Sequence, residues 1–123
     1  LHLLPLFCYS KESMIKSKTA LIDISADNSN SLGVATDGML LCGIQFPAAM
    51  TGTAITFDFA LDNSTWADVK ETDGSAVSYT VSAGDVVRVD PSGWGFASNG
   101  YIRLTSNDNE AADRSIVLHF RHS

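Results

Sequence analysis

The stretch TAITFDFAL, residues 53–61, alternates strictly: Ile55, Phe57, Phe59 and Leu61 fall on one side of an extended chain, and Thr56, Asp58 and Ala60 on the other. Successive side chains of a strand point to opposite faces, so the pattern predicts a half-buried strand with the four apolar residues inside. The neighbouring runs repeat the signal. In MLLCGIQF (residues 39–46), Leu40, Cys42, Ile44 and Phe46 share a face by period two, and Pro47 stops the ladder because it has no N–H to donate. ALIDIS (20–25) places Leu21 opposite Ile22 and Ile24, and SIVLHFRH (115–122) sends Ile116, Leu118 and Phe120 inward. WADVKET, AVSYTV, DVVRVD and YIRLTS complete a set of eight candidate strands, separated by clusters of Gly, Asn, Asp, Ser and Pro. No helical periodicity interrupts them. The expectation is an all-β fold: an antiparallel two-sheet sandwich of about eight strands, jelly-roll-like.

With 123 residues, 45% hydrophobic and 18% charged, the chain has room for one domain with a closed core. The reading divides it into an N-terminal arm (1–18) and a β-sandwich domain (19–123). A formal charge of -6 sets a negative field against phosphate backbones and anionic headgroups, so neither nucleic acid nor membrane is an expected partner. The same acidity favours solubility. The arm opens LHLLPLFCYSKES. It lacks a basic n-region and a small-residue cleavage site, and Pro5 breaks its apolar run, against a signal peptide. Phe7 is too bulky to precede a lipidated Cys8, and the run is too short to span a bilayer. MIKSKT from Met14 reads as a natural start. Exposed apolar surface promotes association, so Leu3, Leu4, Leu6 and Phe7 are expected to dock on a neighbouring subunit or on another protein.

No chemistry-bearing constellation stands out. Asp58, Asp62 and Asp68 are close in sequence, but acid–base work needs one carboxyl group in an apolar pocket and a partner at a set separation. Solvated strand and turn carboxylates are the expectation, and no catalytic residue is assigned. DISADN and NDNEAAD offer oxygen ligands without the spacing of a calcium loop, and Asx turns account for them equally. His119 and His122, three apart on a strand, emerge on opposite faces. Cys8 and Cys42 lack zinc spacing; Cys42 reads as a small buried hydrophobe, and its pairing with Cys8 stays open. GWGFASNG misses the phosphate-loop spacing and leads into a strand. No metal and no cofactor is expected.

The loop aromatics are the remaining candidates. Trp66, Trp94 and Tyr101 can stack on sugar rings, and Trp94 with Phe96 can anchor a protein partner; alternatively these rings plug the ends of the core. The glycines around Trp94 leave room for a close approach.

Three segments, GIQFPAAMTGTAITFDFALDNSTWADVKETDG, VVRVDPSGWGFASNGYIRLTS and AADRSIVLHFR, resemble a group of small structural proteins of tailed phages and prophages. The resemblance implies a non-enzymatic virion component on the capsid surface: a capsid decoration, cement or head-fibre protein. Its implied partners are the major capsid protein or another virion protein, and a homo-oligomer would match a repeating lattice. DNSTW, at Asp62 to Trp66, is also similar to a hairpin segment of discoidin-like and carbohydrate-binding jelly rolls. That similarity implies an alternative, a carbohydrate-binding module of a phage tail or fibre with a glycan as ligand.

Overall fold

The alternation at residues 53–61 forms a strand that ends one residue early, at Ala60, in the computed structural model, which describes residues 15–122. In chain order the described elements are β1 (Ile15–Ile22), β2 (Val34–Ala35), β3 (Met39–Gln45), β4 (Ala54–Ala60), β5 (Ala67–Asp68), β6 (Ser78–Thr80), β7 (Val86–Arg88), a 3-10 helix (Pro91–Ala97), β8 (Tyr101–Ser106) and β9 (Arg114–His122). One sheet runs β1-β9-β3-β7. The other runs β2-β8-β4, and β5 and β6 both pair with β4. All these pairings are antiparallel.

β8 occupies one edge of β4 from Ile55 to Ala60, so β5 and β6 must share the other edge. They are two pieces of one strand position, because Asp68 lies opposite Asp58 and Ser78 opposite Thr56, and the Val69 N–H donates to the Phe57 carbonyl between them at 3.0 Å. Residues 70–77 leave the sheet as a small hairpin, bridged at Lys70 and Ala76 and turned at Gly74 with φ 89°. With the two pieces counted as one, eight strand positions cross between sheets in jelly-roll order. β2 is the strand that the sequence reading lacks.

Ile22, Leu41, Ile44, Ile55, Phe57, Ile102, Leu104, Ile116, Leu118 and Phe120 meet between the sheets and are all but inaccessible. Each stabilises the domain by about 1.5–3 kcal/mol through burial. The expected inward faces of β9 and of Ile55 and Phe57 are found there. Phe59 is half-buried, whereas Leu61 is 75% exposed, because the strand has ended and Asp62 turns the chain by accepting hydrogen bonds from the N–H groups of Ser64 and Thr65. Ile24 is likewise exposed, lying past the end of β1.

β3 departs from simple alternation. Leu41 lies opposite Phe120 and Gly43 opposite His119, so Cys42 is an extra residue, a β-bulge. Met39 and Leu41 therefore face the core before it, and Ile44 and Phe46 after it, while Leu40 and Cys42 are only half-buried. The single face expected for Leu40, Cys42, Ile44 and Phe46 is split at that point. The Cys42 thiol donates to the His119 carbonyl at 3.3 Å. At the other end of the first sheet, Ile15 to Lys18, assigned to the arm on sequence, pair with β9 as the first half of β1. Cys8 and the rest of the arm lie outside the described residues.

Candidate functional site

Two surface features gather the loop aromatics. The first is built on the 3-10 helix. Asp90 caps it, its carboxylate accepting from the Ser92 N–H at 3.0 Å, and Pro91 supplies a first-turn residue with no N–H to satisfy. Trp94 is thereby turned into the end of the core, where it is 3% exposed. Its ring meets Phe57 edge-on at 4.8 Å, and its indole N–H donates to the Tyr79 hydroxyl at 3.3 Å. Phe96 remains 55% exposed, stacked on Trp94 at 5.7 Å and met edge-on by Phe59, also at 5.7 Å. Beyond their chain neighbours and the helix's own backbone, nothing stands within 4 Å of where a side chain at Gly93 or Gly95 would begin, so the approach to Phe96 is open.

The second feature is a cleft of about 490 Å³. It lies between the loop that follows β1, the loop that follows β4, and the outer face of β8. Trp66, half-buried, forms part of its wall, and the Arg103 guanidinium lies 4.7 Å from the Trp66 ring centre. Arg103 also donates through Nε to Asp58, its cross-strand neighbour, at 2.9 Å. Asp58, read as solvated on sequence, is 7% exposed. Burial pushes its carboxyl up, Arg103 opposes that shift, and Asp68 on the facing strand adds to it. Asp62, the third of these acids, is a turn residue whose hydrogen bonds from Thr65 and Ser64 lower its pKa.

The Asx-rich loops are closed on themselves. The Asp23 carboxylate accepts from the N–H and hydroxyl of Ser25, and that of Asp27 from the N–H groups of Ser29 and Asn30 and from the Asn30 amide. Those bonds hold Asp27 at about 2. In NDNEAAD, the buried Glu110 accepts from the N–H groups of Thr51 and Gly52, from the Ser106 hydroxyl and from Arg114, tying two loops together. His119 is hydrogen-bonded to Ser17 at 2.8 Å and to Gln45 at 3.0 Å on the outer face of the first sheet.

The residues expected to bind are thus placed apart. Leu3, Leu4, Leu6 and Phe7 lie outside the described residues. Trp94 and Phe96 share the first feature, Trp66 lines the second, and Tyr101 is half-buried at the start of β8, opposite Ala35 and Ala60. Sequence reasoning missed Gly33, Asn63 and Arg103 in the cleft; DNSTW marked the loop, but only the pairing of β4 with β8 brings Arg103 to it.

No family model and no curated protein matches the chain. Among solved structures, it is similar to the SPBc2 prophage-derived protein YomS, at 13% identity and a TM-score of 0.49 over 86% of this chain and 91% of that one. It is also similar to Peruvianin-I, a cysteine peptidase from Thevetia peruviana latex, at 8% identity and a TM-score of 0.39 over 90% of this chain and 63% of that one. Neither likeness transfers an activity or a contact residue.

Proposed function

We propose that the chain is a non-enzymatic structural protein of a tailed-phage virion, attached to the head shell as a decoration or cement protein. The observation that carries the reading is Phe96, a large apolar ring more than half exposed yet held in one orientation by Trp94 and Phe59. A rigid aromatic side chain loses little freedom on docking, and such rings anchor protein interfaces. The partner is the major capsid protein or another virion protein. The three phage-like segments and the net negative charge, suited to an outer surface, support the same reading. Each interface is modest and is strengthened by repetition across a lattice, which favours a homo-oligomer.

Phe96→Asp tests this reading. Added to purified heads, the variant is expected to lose at least tenfold in occupancy while its melting stays close to wild type, since the ring is mostly outside the core. Undiminished occupancy, or a protein found only at tail tips, would overturn it. A sugar-binding module of a phage tail or fibre is the second reading, and the Trp66 cleft is the observation that favours it.

A further inference from the structure

We propose that the cleft between Trp66, Arg103 and Asn63 is a binding site for a neutral saccharide. The inference rests on the sugar-binding reading and is independent of the head-shell reading. At about 490 Å³ the cleft is in the size range of small-molecule sites. Its wall mixes apolar and polar groups at short range: Trp66 and Leu32, the latter 54% exposed, lie among the side chains of Asn30, Asn63 and Arg103. A sugar ring has the matching character, with an apolar C–H face and a rim of hydroxyls that both donate and accept.

The lining is set before any ligand arrives. Arg103 is held by Asp58 and by the Trp66 ring, and Asn30 by Asp27 and the Thr105 hydroxyl. Asp62 fixes the turn that carries Asn63 at φ 58°, a left-handed conformation that Asn tolerates. Gly33 is needed for the shape. A Cβ there would fall 1.9 Å from the Asn63 Oδ1 and 3.0 Å from the far edge of Trp66.

Hydrogen-bonding capacity is left over. Among the described residues the Arg103 Nη groups, the Asn63 amide and the Trp66 indole N–H have no protein partner. Charge selects the ligand class. The positive charge of Arg103 is balanced by Asp58, while Asp23 and Asp27 add negative charge to the wall, which disfavours an anion. The Arg103 charge held against Trp66 repels a second cation from that ring. An uncharged polyhydroxyl ligand fits both constraints.

The test titrates the full chain with three kinds of probe: cellotetraose, chitotetraose and maltotetraose as neutral sugars, a heparin tetrasaccharide as an acidic one, and a lysine-rich peptide. NMR shift mapping and calorimetry report the binding. At least one neutral tetrasaccharide is expected to bind and to perturb residues 30–33, 63–66 and 103. Trp66→Ala is expected to weaken it at least tenfold, Asn63→Gly several-fold, and Trp66→Phe less than Trp66→Ala. If Trp66→Ala unfolds, Asn63→Gly and the shift map still decide. No binding by any sugar overturns the sugar-binding reading itself. Sugar binding that maps elsewhere, or that survives both cleft substitutions, overturns only the site. Preference for heparin or the lysine peptide overturns the neutral class.

Discussion

Glu110 and Asp58 are both buried carboxylates, and their surroundings drive them in opposite directions along the pH axis. Burial alone would raise Glu110, but the hydrogen bonds from Thr51, Arg114, Ser106 and Gly52 outweigh it and hold the carboxyl below the usual glutamate range. With the folded pKa below the unfolded one, Glu110 contributes stability above the ordinary glutamate value, and that contribution disappears as pH falls through the folded value. Asp58 has a folded pKa above its ordinary value. The folded state keeps that proton longer, so stability declines as pH rises from the ordinary aspartate value to the raised one. Urea unfolding across pH checks both: Glu110→Gln should flatten the acid limb, and Asp58→Asn should remove the decline. Glu110→Ala, which leaves Arg114 without its partner, is expected to cost about 3–5 kcal/mol. An acid limb unchanged by Glu110→Gln would show that these hydrogen bonds do not govern acid stability.

At the scale of elements, β9 was legible because it is regular: Ile116, Leu118 and Phe120 alternate without interruption, and the core takes all three. β3 was not, since a bulge is a relation between two strands and nothing in MLLCGIQF says that Cys42 lacks a partner on β9. Leu61 continued the apolar pattern of β4, but the hydrogen bonds of the Asp62 turn end the strand first. The cleft was half-legible for the same reason. Trp66 announced itself by composition, whereas Arg103 gains its place only from the register of β8 on β4. The bulge also predicts the behaviour of the thiol. Burial pushes Cys42 up, the Arg121 charge opposes it, and the S–H is engaged by the His119 carbonyl. Its alkylation by iodoacetamide at pH 8 is expected to be several-fold slower than that of an unfolded peptide thiol. Equal rates would show that the strand opens at the bulge.

For the whole molecule, Phe57 ties the 3-10 helix to the second sheet, lying in the centre of β4 and receiving both Trp94 and Tyr79 edge-on. Phe57→Ala should lower stability by about 3–5 kcal/mol and melt both sheets together; loss confined to the 3-10 helix would mean that the sheets do not depend on it. The interruption between β5 and β6 has a consequence for copies held close together. A sheet edge can template strand addition, and a chain displayed many times on one surface meets its neighbours at high local concentration. The second sheet offers only two- and three-residue pieces on this side, and at the end of β1 the Leu32 N–H covers the Leu21 carbonyl. Deleting residues 70–77 would join Val69 to Ser78 in register, since they lie opposite Phe57 and Thr56, and would restore a continuous edge. That variant, if it keeps its β-rich circular dichroism, is expected to seed thioflavin-positive fibrils faster than the intact chain; equal lag times would refute a guarding role. Were the chain displayed in many copies, the detour through 70–77 would act as an anti-amyloid break between them.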